Sequence, residues 1–186
     1  MQIIKLIDSF TEWVQENVCD PKTFLKPSGT MSAGQEWITP TAFPMYYPTA
    51  EFLPEGAIAQ APGVCIQLMK GRENMVSGLQ DLDIKMYFSI WRPGYYKGDD
   101  GNVDFSKTYD GYRDLWGWID FAKAKIESDV YIDGLRVKKD VPIEFGPWKL
   151  NEEEVVNAYP FWYGWMTFTL ENGASARNNK DYSDLL

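Results

Sequence analysis

The chain has 186 residues, of which 45% are hydrophobic and 16% aromatic, and its formal net charge is −9. A chain of this length fits one domain that buries about 70% of its unfolded surface, without disulfide or metal staples. The acidic balance argues against a nucleic-acid binder, which normally presents a basic surface. No stretch approaches about 20 consecutive apolar residues, so we expect no membrane span.

Histidine is absent, and the only cysteines are Cys19 and Cys65. The commonest general base is therefore missing, and two distant thiols cannot make a zinc site. We expect both thiols to be reduced in a cytosolic protein. Walker loops, dinucleotide fingerprints and nucleophile elbows are also absent from the sequence. These observations predict a protein that is not an enzyme and holds no cofactor or metal.

The N-terminal third begins with a predicted helix over 3–18, whose apolar stripe contains Ile3, Ile4, Ile7, Phe10, Val14 and Val18. Prolines and glycines then interrupt residues 21–61, which predicts a long loop region. This region also contains many aromatic side chains, so it must rest on an apolar surface. That surface is either the domain's own core or a neighbouring subunit.

Alternating apolar residues predict two strands in the middle of the chain, over 63–70 and 83–91, with a turn at 71–74. A second helix is predicted over 111–128, with Asp110 as its N-cap. Its buried stripe is expected to contain Tyr112, Leu115, Trp116, Ile119, Ala122 and Ile126. Trp118 lies near the edge of that stripe and Phe121 about half a turn from its centre.

The C-terminal third predicts a hairpin over 130–137, a strand near 141–145 and a short helical turn within 151–157. A long closing strand over 159–170 has two different faces. Trp162, Met166, Phe168 and Leu170 form an apolar face; Phe161, Tyr163, Trp165, Thr167 and Thr169 form a mixed one. Such a strand suits a sheet with a core behind it and a partner in front.

The order of elements predicts an α+β fold, with a mainly antiparallel sheet and two amphipathic helices packed on one face. Residues 1–171 are predicted to form a single domain that includes the loop region 21–61. Residues 172–186 are predicted to be a polar C-terminal tail.

Surplus aromatic residues indicate protein interfaces, where tryptophan and tyrosine are enriched. Three places supply candidates: the outward side of the second helix, the loop at 92–105 and the mixed face of the closing strand. The interface candidates are Trp118, Phe121, Arg92, Tyr95, Tyr96, Tyr163 and Trp165.

Two segments carry a resemblance to a known family: Asp-Gly-Tyr-Arg-Asp-Leu at 110–115, which leads into the second helix, and Pro-Phe-Trp-Tyr-Gly at 160–164. With the order of elements, they make the chain resemble small tail proteins of long-tailed bacteriophages. The match is best with the tail terminator, also called tail completion or minor tail protein.

The resemblance implies a non-enzymatic structural protein of a phage or prophage. Its subunits would form a homo-oligomeric ring, commonly a hexamer, that caps the tail tube and contacts the head connector. It would reside in the virion, and in the host bacterial cytoplasm during assembly. Two alternatives stay open: another phage connector or assembly protein, and a carbohydrate-binding domain whose exposed aromatic rings stack on sugars.

Overall fold

The computed structural model describes residues 3–27, 36–49, 51, 60–76, 78–93, 109–129, 131–132, 134–149 and 154–172. This part of the chain forms two α-helices and a mostly antiparallel sheet, with a small two-stranded sheet beside it. The α+β prediction is therefore confirmed.

Helix α1 runs over Ile3–Val14 and continues as a π-helical turn over Gln15–Cys19. The predicted helix is confirmed, but its stripe is displaced at the N-terminus. Ile3 and Ile4 are 47% and 73% exposed, whereas Leu6 is buried beside Phe10. The first turn thus extends past the core, which begins one turn later.

The predicted loop region contains three short strands: β1 (Phe24–Leu25), β2 (Trp37–Ile38) and β3 (Thr41–Pro44). β1 and β2 pair antiparallel, while β3 pairs parallel with the next strand. The pattern of prolines concealed these strands because each is only two to four residues long. Phe24, Leu25, Ile38 and Phe43 are buried in the chain's own core, whereas Trp37 and Tyr46 of the same region are 54% and 69% exposed.

Three long antiparallel strands form the centre of the main sheet: β4 (Gly63–Glu73), β5 (Gln80–Trp91) and, at the C-terminal end, the last strand (Phe161–Asn172). Both strands predicted in the middle of the chain are confirmed. The turn predicted at 71–74 is wrong, because pairing continues to Glu73, opposite Gln80. The chain reverses after that pair, and Gly78 adopts a positive φ of 76° there.

Helix α2 spans Asp110–Asp129, and a hairpin of β6 (Tyr131–Ile132) and β7 (Leu135–Val137) follows it as predicted.

β8 covers Glu144–Pro147, about three residues later than predicted, and pairs with the last strand, β9. Of the predicted helical turn within 151–157, the described residues are not helical; Val155 forms a bridge with Lys149. The strand order is β3-β4-β5-β9-β7-β6, with β8 also on β9.

Both helices contact the same face of the main sheet, which we call the helix face. The ring of Phe10 lies 5.9 Å from that of Phe168, and the ring of Trp118 lies 5.2 Å from that of Phe88. Alternate residues of β5 and β9 form this core: Leu82, Ile84, Met86, Phe88, Ile90, Met166, Phe168 and Leu170. The split of β9 into two faces is therefore as predicted.

On α2, the buried stripe is partly as expected. Leu115, Ile119, Ala122 and Ile126 are buried, but Tyr112 is 51% exposed and does not belong to the core. Tyr112 lies in the first turn of α2, where its ring is 6.1 Å from that of Trp116. Neither described helix combines the length and the hydrophobicity that a bilayer crossing requires.

Candidate interaction surface on the aromatic face

The side of the sheet opposite the helices presents a cluster of rings, which we call the aromatic face: Tyr87, Trp148, Phe161, Tyr163 and Trp165. The ring of Trp148 lies 5.4 Å from Tyr163 and 5.8 Å from Tyr87, while Phe161 is nearly parallel to Tyr163 at 6.3 Å. Trp148 is 42% exposed and the other four are partly exposed. These rings are therefore accessible to a partner.

The two-residue repeat of the strands places these rings together. Phe161, Tyr163 and Trp165 alternate on β9, and Tyr87 of β5 lies directly opposite Trp165. On the other side of β9, Gly146 faces Trp165, and a Cβ atom there would lie 3.0 Å from the indole. The indole thus lies across β8, and its Nε1 donates to the carbonyl of Pro147 at 3.0 Å.

A lysine lies among these rings. The Nζ atom of Lys85 is 4.9 Å from the ring centroid of Tyr87 and 4.9 Å from that of Trp165. Both contacts are within the range of cation–π attraction. Partial burial also raises the pKa of Tyr163, so its hydroxyl remains protonated at neutral pH.

At the other end of the same face, ion pairs replace the rings. The Arg72 guanidinium binds both carboxylate oxygens of Asp83, at 2.7 and 2.8 Å, and Thr169 donates to Asp83 at 2.9 Å. Lys138 binds Asp81 at 2.7 Å. The charged groups at this end of the face therefore form ion pairs with one another, so the surface there is polar.

Trp118 was expected at an interface, and this is wrong. Its side chain is 1% exposed, and its ring lies 4.8 Å from that of Phe24. Its Nε1 donates to the carbonyl of Val18 at 3.0 Å. The large indole fills the space between α2, the π-helical turn and the sheet, so it belongs to the core.

Phe121 and Arg92 are engaged within the chain. Phe121 packs against the edge of the core, with the Lys22 Nζ atom 4.2 Å above its ring. The Arg92 guanidinium lies 5.4 Å from the ring of Trp37, and its Nε is 3.5 Å from a carboxylate oxygen of Asp114. Burial raises the pKa of Asp114 although Arg92 opposes that shift. These two candidates are not brought together with Tyr163 and Trp165.

Tyr95 and Tyr96, the remaining interface candidates, lie outside the described residues, as do residues 173–186 of the predicted tail. Among the five candidates in the described part of the chain, the structure brings only Tyr163 and Trp165 together.

Three members of the aromatic face are not among the seven predicted interface candidates: Tyr87, Phe161 and Trp148. Trp148 lies just beyond β8, in a segment without a clear repeat, but it is two residues after Gly146 and so shares that residue's side of the sheet. The exposed aliphatic tip of the β4–β5 hairpin was also missed: Met75 is 86% and Val76 98% exposed. The turn was predicted too early, at 71–74, so these two residues were not recognised as the tip of the hairpin.

The reactive and metal-binding side chains of the described residues are other places where a site could lie. No group of three or more cysteine and acidic side chains there is placed to hold a metal ion. Cys65 is buried, and burial raises its pKa to about 12, so the thiol is protonated at neutral pH.

Comparison of the chain with protein-family models finds no matching family, and comparison with curated proteins finds no match.

Proposed function

We propose that this protein is a non-enzymatic structural component of a long-tailed phage or prophage, a tail terminator whose subunits form a ring. The ring would cap the tail tube and contact the head connector in the virion. A ring needs two different contact patches on each subunit, because the rotation between neighbours must close on itself.

The observation that carries this proposal is the half-exposed aromatic face. Helices cover one side of the sheet, whereas Tyr87, Trp148 and Tyr163 remain partly exposed on the other. Accessible clusters of tryptophan and tyrosine mark protein interfaces, where such rings contribute a large share of the binding energy. The exposed hairpin tip, with Met75 and Val76, is a second and separate apolar patch.

The two segments that carry the family resemblance also contact each other, which supports treating them as one unit. A Cβ atom on Gly111, at the start of α2, would lie only 2.1 Å from the indole of Trp162 on β9. A Cβ atom on Gly164 would lie 2.7 Å from Ile119. Both glycines therefore allow α2 to lie close against β9.

Native mass spectrometry of the purified chain tests the proposal. We expect a closed oligomer, alone or with the tube protein, and its loss in a double variant, Trp148→Ser with Tyr163→Asp. Ile4→Asp is the matched control, because Ile4 is 73% exposed but belongs to α1 on the other side of the sheet. That variant should assemble like the wild type.

A chain that remains monomeric with the tube protein present would contradict the proposal. So would a double variant that assembles normally while circular dichroism shows both proteins folded. Assembly with a connector but not with the tube would instead favour another phage assembly protein.

A carbohydrate-binding domain is the second candidate, favoured by the exposure of Trp148 beside Tyr163. Their planes, however, meet at 74°, whereas a sugar-stacking platform needs coplanar rings. Quenching of tryptophan fluorescence by oligosaccharides, lost in Trp148→Ala, would establish this alternative.

A further inference from the structure

Lys85 occupies an unusual position for a cation in an acidic protein. Its neighbours across the sheet, Gln67 and Thr167, are neutral. The nearest acid on its own side of β5, Asp83, is already bound by Arg72 and Thr169. Within the described part of the chain, the contacts of the Lys85 ammonium are to the rings of Tyr87 and Trp165, and no carboxylate pairs with it.

The surroundings of Lys85 define the chemistry of a ligand. The ammonium attracts an anion, and a carboxylate is the anionic group that a segment of protein chain supplies. The half-exposed rings of Trp148 and Tyr163 next to it offer apolar area to aromatic or aliphatic side chains. A peptide with alternating acidic and apolar residues matches both requirements.

The chain contains such a peptide. Residues 181–186 read Asp-Tyr-Ser-Asp-Leu-Leu, with two carboxylates, one tyrosine and two leucines. We infer that the surface formed by Lys85 and the aromatic face binds an acidic, apolar segment, and that residues 181–186 of the same chain are its occupant. A carboxylate of Asp181 or Asp184 would pair with Lys85, while Tyr182 and the leucines would lie on the rings.

The length of the intervening chain permits this contact. Strand β9 ends at Asn172, five residues beyond Thr167, which pairs with Lys85, so the two points are about 17 Å apart. Nine residue steps separate Asn172 from Asp181 and can span about 30 Å. Attachment to the same chain also raises the local concentration of the segment at the surface. The contact forms within one chain and does not require the proposed ring.

Photo-cross-linking of the full chain tests this inference. We would replace Tyr182 by p-benzoylphenylalanine, irradiate the protein and identify the linked peptides by mass spectrometry. We expect links to β5 and β9 near Lys85. In an equal mixture of ¹⁴N and ¹⁵N chains, the linked peptides should come from one chain, with no mixed pairs.

Two variants should lower the yield of these links at least about fivefold: Lys85→Met, which removes the cation, and Asp181→Asn with Asp184→Asn, which leaves the sheet unchanged. Lys70→Met is the matched control, because Lys70 is an exposed lysine on the neighbouring strand β4. It should leave the yield as in the wild type.

Links mapping to the helices, or an unchanged yield in the Asp181→Asn, Asp184→Asn variant, would overturn the inference. Mixed ¹⁴N–¹⁵N pairs would overturn the assignment to the same chain, since a second copy would then supply the segment. The proposed ring uses the same aromatic face, so the segment would have to leave that face when a neighbouring subunit binds. Native mass spectrometry measures assembly separately from the cross-links.

Discussion

At the scale of single residues, Trp118 joins three parts of the chain that are far apart in sequence. Its ring contacts Phe24 of β1 and Phe88 of β5, and its Nε1 donates to Val18 at the end of the N-terminal helix. A buried indole with a satisfied N–H combines large apolar burial with a directional contact. Trp118 therefore fixes where the N-terminal segment lies.

Trp118→Ala should lower the free energy of unfolding by about 3–5 kcal/mol, because it leaves a cavity and an unpaired Val18 carbonyl. Urea unfolding followed by circular dichroism measures this. Trp148→Ala, which removes a 42% exposed indole, should cost much less. Equal losses in the two variants would show that Trp118 is not the core residue that its burial indicates.

The acid Asp83 provides a second prediction at this scale. Burial acts to raise the pKa of Asp83, but the hydrogen bonds from Arg72 and Thr169 outweigh it, so that pKa lies below its ordinary value. A lowered pKa in the folded state stabilises the protein above the ordinary pKa, and this stabilisation is lost as the pH falls through the folded pKa.

Asp83→Asn should therefore be less stable than the wild type at about pH 7, with the difference shrinking towards about pH 3. Urea midpoints across this range test the effect. Asp8→Asn, at an exposed acid on α1, should follow the wild-type pH dependence. A constant difference between Asp83→Asn and wild type over the whole range would contradict the ion pair.

At the scale of elements, the approach of α2 to β9 depends on small residues at particular positions. Gly111 lies beneath the indole of Trp162, whereas Gly117, also on α2, has no atom within 4 Å of its Cβ position. The same residue type thus serves close packing at one end of the helix and only weakens the helix further along.

Gly111→Ala should destabilise the protein by about 1–3 kcal/mol, since Trp162 must move. Gly117→Ala should stabilise it by about 0.5–1 kcal/mol through higher helix propensity. Thermal and urea unfolding of both variants measure these opposite signs. A neutral or stabilising Gly111→Ala would mean that α2 does not lie this close to β9.

At the scale of the whole molecule, the aromatic face and the tip of the β4–β5 hairpin are two separated places among those in the described chain where apolar side chains are exposed. Met75 and Val76 at the tip are 86% and 98% exposed, so they bury little apolar area against the described part of the chain. A contact between unlike patches on neighbouring copies would repeat around a ring.

Met75→Ser with Val76→Ser should change the free energy of unfolding by no more than about 0.5 kcal/mol, because little buried area is lost. If the tip contacts a neighbour, the same double variant should shift the oligomer towards monomer in light scattering at matched concentration. Ile4→Ser is the control with similar exposure on α1. Unchanged assembly would exclude the tip as a ring contact.

Local pattern in the sequence determined the elements with strong periodicity: both helices, the strands β5 and β9, and the two different faces of β9. Their apolar residues repeat at 3.6 or two positions, a signal that depends only on neighbouring residues. The tertiary structure decided the rest. It buried Trp118, paired β3 in parallel with β4, and brought Trp148 to Tyr163 and Tyr87, because these contacts join residues far apart in the chain, which no local repeat specifies.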